Sequence, residues 1–185
     1  MSGRAILVID LLNDFLDQWD EEERAILISR TNELIDHFRA AELPIIWVRQ
    51  EFEPDLSDAF LEMREKGIRI TIRGTIGAQF CADLHQHDGD HFVIKKRYSA
   101  FFQTPLEAIL KRLDVGELTL SGINTHACIR MAAIDAYQRD LKVIIASDCV
   151  GSYDKRHGEI SLRYLDGKIA ELKTNQEILS AIGVR

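Results

Sequence analysis

The chain has 185 residues, 46% of them apolar and 29% charged, and its formal net charge is −7. That length is enough to bury one core and short for two, so a single domain spanning residues 1–185 is expected. The acidic balance removes the broad positive field that holds a phosphate backbone, so nucleic acid is not an expected partner.

Residues Ile6 to Ile9 form a continuous, β-branched-rich apolar run, as expected of a strand buried on both faces of a parallel sheet. The apolar stretch is too short for a signal peptide or a membrane span, which leads to the expectation of a cytoplasmic protein with no membrane partner. From Asp20 to Ala41, Leu27, Leu34, Ile35 and Phe38 recur at helical spacing, with Asp20 as the N-cap and Glu23 as its reciprocal partner, and Leu43-Pro44 ends the helix. Ile45 to Val48 reads as the second strand. Between Glu51 and Asp90 loops and one short helix are expected; Ile68, Ile70 and Ile72 alternate with Arg69, Thr71 and Arg73 as an edge strand would. Gly74-Thr75-Ile76-Gly77 breaks that pattern and, lacking a lysine and a following helix, reads as a turn rather than a phosphate cradle.

Phe92 to Ile94 is the next strand. Thr104-Pro105-Leu106-Glu107 then places a capping threonine, a proline at the first helical position and a glutamate at the third. Leu118 to Ser121 is a strand, Thr125 to Asp140 a helix whose Ala132, Ala133 and Ala136 permit close packing, and Val143 to Ala146 a strand. Ile160 to Leu165 reads as a short helix and Lys168 to Leu172 as a last strand, and Thr174 to Glu177 is a capping box opening the terminal helix. Strand and helix in alternation predict an α/β fold: a three-layer α/β/α sandwich around a mostly parallel sheet, with Rossmann-like topology.

In such a sheet ligands bind beyond the carboxyl ends of the strands. Asp10 ends the first strand, Lys95 follows the strand Phe92 to Ile94, and Cys128 opens the helix after Leu118 to Ser121, so all three are candidates for one catalytic rim. In a first helical turn the helix dipole, with an ammonium such as Lys95, would lower the pKa of the Cys128 thiol, while Asp10 could accept its proton and later return it. The competing role for Cys128 is that of a small buried hydrophobe, the commoner fate of a free cysteine and the one expected for Cys81 and Cys149. Three cysteines at wide spacing form neither a disulfide framework nor a zinc pattern, which points to a reducing compartment. At the same rim, Phe15, Gln50, Tyr98 and Phe101 are candidate substrate contacts, whereas Asn13 and Asp14 read as turn and capping residues. Lys95, Arg49 and Arg97 are possible attractors of a carboxylate.

Three motifs in this order, Ile9-Asp10-Leu11-Leu12-Asn13-Asp14-Phe15, Val93-Ile94-Lys95-Lys96-Arg97-Tyr98-Ser99-Ala100-Phe101 and Gly122-Ile123-Asn124-Thr125-His126-Ala127-Cys128, resemble isochorismatase-like cysteine hydrolases. The resemblance implies Asp10 as general acid/base, Lys95 as charge stabiliser and Cys128 as the nucleophile of a thioester, with Lys96 pointing away. It implies a cis peptide between Ile123 and Asn124, the backbone amides of Asn124 and Cys128 forming an oxyanion hole, and Ile123 among the substrate contacts. It further implies a small-molecule substrate, no external cofactor, and a homo-oligomer, dimer or tetramer. Nicotinamidases of this superfamily hold a metal through an aspartate and histidines after the second strand; Arg49 to Asp55 contains no histidine, which disfavours that activity. The run His85-Gln86-His87-Asp88-Gly89-Asp90-His91 is rich in ligand-type side chains without the spacing of a metal site, so no metal is expected. The leading expectation is hydrolysis of a small amide or ureido C–N bond. Vinyl ether hydrolysis with Asp10 as the acid is one alternative, and a catalytically silent binding module of the same fold is another.

Overall fold

The computed structural model describes residues 3–183. Six parallel strands form one sheet: β1 Gly3–Ile9, β2 Ile45–Gln50, β3 His91–Lys95, β4 Val115–Ile123, β5 Lys142–Gly151 and β6 Glu171–Lys173. Their order across the sheet is β3-β2-β1-β4-β5-β6, so the chain reverses its direction of travel at the β1–β4 boundary and opens a crevice at the carboxyl ends there. The helices are α1 Asn13–Leu16, α2 Glu21–Ala40, α3 Leu61–Lys66, α4 Leu106–Arg112, α5 Arg130–Tyr137, α6 Lys155–Leu165 and α7 Asn175–Ile182.

The continuous apolar run of β1 is explained by helices on both faces. Ile6 and Val8 join Leu27, Leu34, Ile35 and Phe38 of α2 and Ile178 of α7. Ala5, Leu7 and Ile9 point the other way, into a cluster with Leu106, Leu110, Ala132, Ala133 and Ala136 from α4 and α5. Cys128 belongs to this second layer.

Local chemistry departs from expectation in several places. Asp20 caps α2 by accepting from the amides of Glu22 and Glu23, but the Glu23 carboxylate goes to Lys155 instead of closing a capping box. Pro105 stands one position before α4, where the Thr104 hydroxyl accepts the Leu106 amide at 3.3 Å, and Glu107 is drawn off by Lys111 (2.7 Å) and Arg139 (2.8 Å). The isoleucine alternation at 68–72 is not a strand: its pairing is the isolated bridge between Phe52 and Ile72. Thr71 has φ +52°, and its amide is taken by the Asp14 carboxylate at 2.6 Å, which together break the extended run. β6 begins at Glu171 because Gly167 turns the chain and Asp166 bridges Ala170 first. The capping box of Thr174 and Glu177 is present at the start of α7.

Gly122 is fixed by geometry at the end of β4. Its φ is +111°, and a β-carbon there would lie 2.0 Å from the Ile9 carbonyl oxygen on the adjacent strand. Gly122→Ala combines backbone strain with a clash against an immovable β1 carbonyl. It is expected to destabilise the fold by about 3 kcal/mol or more, read as a lower urea midpoint.

Candidate active site

Asp10 follows the last residue of β1 and turns the chain with φ +57°, a conformation aspartate tolerates better than most residues. Its Oδ1 accepts the backbone amide of Gln50, the last residue of β2, at 2.7 Å. Its Oδ2 lies 2.7 Å from Nζ of Lys95, an ionic contact outside hydrogen-bond angle. Parallel pairing sets Gln50 beside Lys95 at the end of β3, so one strand end orients the carboxylate and the next supplies its counter-ion. The Lys95 ammonium also donates to Sγ of Cys128 at 3.3 Å and to the Arg97 carbonyl at 3.1 Å. Relative exposures of 1% for Asp10, 0% for Lys95 and 4% for Cys128 place the three groups away from bulk water.

The sequence predicts an ordinary helix from Thr125; the chain instead opens with a π-helical turn, Thr125–Ile129, before α5. The Asn124 carbonyl accepts from both Ala127 (3.0 Å) and Ile129 (3.2 Å), so the turn is wide at the cysteine between them. The Ile123–Asn124 peptide bond is cis.

Burial is the largest influence on both Lys95 and Cys128. It works to lower the Lys95 pKa, yet Asp10 and Cys128 together outweigh it and hold the ammonium above the ordinary lysine value. Burial pushes the Cys128 thiol up to about 12; Lys95 opposes this and the Asp10 carboxylate adds to it. The expectation of a depressed thiol pKa is thereby corrected, because desolvation exceeds the attraction of one ammonium already neutralised by Asp10.

The remaining candidates divide. Gln50 is buried and touches the trio through its backbone amide, which donates to Asp10. Ile123 is fully buried at the end of β4, and Phe15 packs half-buried against the α2-side core. Tyr98 is 51% exposed and stacks on Phe60 with ring centroids 5.1 Å apart. Burial pushes its phenol up, and Cys128 and Tyr153 push the same way. Phe101 is corrected to a packing residue: it is buried in the α4–α5 layer with the Arg139 guanidinium 4.8 Å above its ring. Asn13 and Asp14 are corrected too, since they tie down the irregular segment rather than cap a helix. Asn13 Nδ2 donates to the Ile76 carbonyl at 2.9 Å and Asp14 accepts from Thr71, while a β-carbon on Gly77 would sit 1.9 Å from the Asp14 carboxylate. Lys96 turns away to Asp58 (2.7 Å) and the Glu51 carbonyl (2.6 Å). In the histidine-rich segment, Asp90 accepts from Trp47 and Arg39, both at 2.8 Å, and His85 faces Asp36.

Three residues at the rim escape sequence reasoning: His126, Ser152 and Tyr153. His126 Nδ1 hydrogen-bonds with the Ser152 hydroxyl, and its ring meets Tyr153 edge-on at 5.0 Å. Burial pushes the imidazole below its usual range, with Asp154 opposing and His157 reinforcing. The strand-end rule that selects Asp10 also selects Ser152 and Tyr153, once β5 is seen to run to Gly151 rather than Ala146.

A family model described as the Isochorismatase domain matches residues 4–177. The chain is 27% identical to the uncharacterized isochorismatase family protein YaaI of Bacillus subtilis, over 96% of this chain and 97% of that one. It is 28% identical to a maleamate amidohydrolase of Pseudomonas putida over 70% of this chain and 61% of that one. An N-carbamoylsarcosine amidase from Thermoplasma acidophilum superimposes with a TM-score of 0.80 at 25% identity, covering 94% of this chain and 96% of that one. With the fold, the strand-end residues and a domain match over nearly the whole length in agreement, the chain belongs to the isochorismatase family of hydrolases.

Proposed function

We propose that this hydrolase cleaves a C–N bond of a small amide or ureido-type substrate through a thioester on Cys128, with Asp10 as general acid/base and Lys95 as charge stabiliser. The observation that carries this reading is the unbroken contact from sulfur to ammonium to carboxylate, at 3.3 and 2.7 Å, beside the crevice. Sulfur attacks the substrate carbonyl carbon as the thiol proton passes to Asp10. Asp10 then returns that proton to nitrogen as the C–N bond breaks, leaving the acyl group on sulfur and a free amine. Water next attacks the thioester while Asp10 takes its proton; the C–S bond breaks, the acid departs, and the proton goes back to sulfur. Lys95 remains protonated throughout and offsets negative charge as it moves between carboxylate and sulfur. The amides of Asn124 and Cys128, on the widened turn, would receive the carbonyl oxygen as it gains charge. These steps require no external cofactor, and the names of the Pseudomonas and Thermoplasma relatives favour amide over vinyl ether chemistry.

The test is intact-mass spectrometry on acid-quenched protein during turnover of a panel of small amides. An adduct of the acyl mass on the Cys128 peptide, lost in Cys128→Ala, is the expected result. Full turnover by Cys128→Ala would exclude the thioester route and favour vinyl ether hydrolysis, for which isochorismate belongs in the panel. No turnover of any compound would leave the silent binding module.

A further inference from the structure

The trio is assembled from separate elements, so its spacing depends on how those elements are held to one another. Lys95 ends β3, and its ammonium meets two acceptors of different origin: Sγ of Cys128, on the turn that leads into α5, and the carbonyl of Arg97, in the loop that follows β3. These acceptors keep their separation only if the loop is fixed against α5.

Two sets of contacts fix it. Lys96 and Arg97 tie the loop to the segment after β2: Lys96 to the Asp58 carboxylate and the Glu51 carbonyl, and Arg97 to the Asp58 carbonyl at 2.8 Å with its guanidinium 5.0 Å over Phe60. Arg97 therefore serves the trio through its backbone. The expectation that its side chain, or that of Arg49 paired with Glu51 at 2.9 Å, attracts a carboxylate does not fit these pairings.

Ser99 supplies the tie to the helix. Its residue is 4% exposed; its hydroxyl donates to Oδ2 of Asp135 in α5 and accepts from the Phe101 amide at 3.1 Å, so its one proton is committed. Asp135 stands seven residues after Cys128, on the helix that continues from the cysteine's turn. Arg139, just past the end of α5, braces it: Nη1 donates to the Asp135 carbonyl at 3.0 Å and lies 3.7 Å from Oδ1. A bond from a buried hydroxyl to a carboxylate is stronger than a neutral one and costs more to lose. No reaction step uses this pair, yet it joins the loop that places the Arg97 carbonyl to the helix that begins at the nucleophile.

We propose that Ser99 and Asp135 are positioning residues, whose hydrogen bond holds the Arg97 carbonyl and the Cys128 sulfur at the spacing that seats the Lys95 ammonium on the sulfur. The inference rests on the reading of Lys95 as charge stabiliser of the thioester route. A displacement of about 1 Å between reacting groups is enough to cost roughly 10²-fold in rate, so a remote brace of this kind reaches the chemistry.

The test is the rate of Cys128 carboxymethylation by iodoacetamide at pH 9, followed on the tryptic peptide, with urea melts showing that each variant is folded. Ser99→Ala is expected to slow labelling about fivefold, because a displaced ammonium supports the thiolate less well. Asp135→Asn, a nearly isosteric change at a part-exposed side chain, tests the same bond without altering a buried position and should slow labelling in the same direction. In the Asp10→Asn, Lys95→Met background, which leaves no buried charge unpaired, neither change should have an effect, since the group they position is gone. Equal slowing in both backgrounds, an unchanged rate in folded variants, or faster labelling through a loosened loop would overturn the proposal. The readout needs no substrate, so the two readings fail separately. Coupling to Lys95 without any acyl adduct in the wild type would sink the thioester route and leave the brace standing; an adduct without the coupling would do the reverse.

Discussion

Lys95→Met is expected to destabilise the protein by about 3–5 kcal/mol and to lower amide turnover by roughly 10³-fold. Methionine fills the volume, so the loss is not one of packing. It arises because the Asp10 carboxylate, 1% exposed, loses its ammonium 2.7 Å away and keeps a single amide donor, that of Gln50. A buried charge with its partner removed costs far more than the intact pair contributes, since the pair offsets its own desolvation. Stability and chemistry separate in the double variant Asp10→Asn, Lys95→Met. With both charges gone, the urea midpoint should recover most of the loss, whereas turnover should not, because the acid/base is missing as well. Equal destabilisation in the single and double variants would show that Lys95 acts through its packing. Turnover near wild type in Lys95→Met would remove it from the mechanism.

The layered fold and the carboxyl-end rim are legible in the sequence for a common reason: buried parallel strands have to be apolar, and the polar residues that interrupt them mark their ends. Asp10 after Ile9 and Lys95 after Ile94 are such interruptions, and both reach the crevice. The readings fail where a contact distant in sequence overrides a local pattern. The alternation at 68–72 looks like a strand until the Asp14 carboxylate, more than fifty residues away in the chain, captures the Thr71 amide. Phe101 looks like a rim aromatic until Arg139 covers its ring from α5's far end. Ser152 and Tyr153 stay hidden because Ser147 and Asp148 interrupt the apolar run, although β5 continues past them to Gly151 through a shift in register against β4. A π-helical turn at Cys128 has no periodic signature in five residues, so its effect on the nucleophile is visible only in three dimensions.

That effect bears on the last expectation, the pH dependence of the thiol. With burial holding Cys128 at about 12, only about one molecule in 10⁵ carries a thiolate at pH 7, against a few in a hundred for an unperturbed cysteine. Carboxymethylation of Cys128 by iodoacetamide, followed on its tryptic peptide, should therefore run about 10³-fold slower than that of a free thiol at neutral pH. The sign is fixed by which form is reactive: the neutral thiol is favoured below the pKa, so the rate should climb about tenfold per pH unit from 7 to 10 without levelling. Lys95 lowers the thiol pKa, so its loss should slow labelling further at every pH in that range. A plateau below pH 8 would mean that the ammonium prevails over burial and that the resting nucleophile is already a thiolate. The expected climb is what an enzyme would show if its thiol surrenders its proton to Asp10 only as the carbonyl is attacked: catalysis then avoids maintaining a desolvated anion, and the substrate itself completes the charge balance.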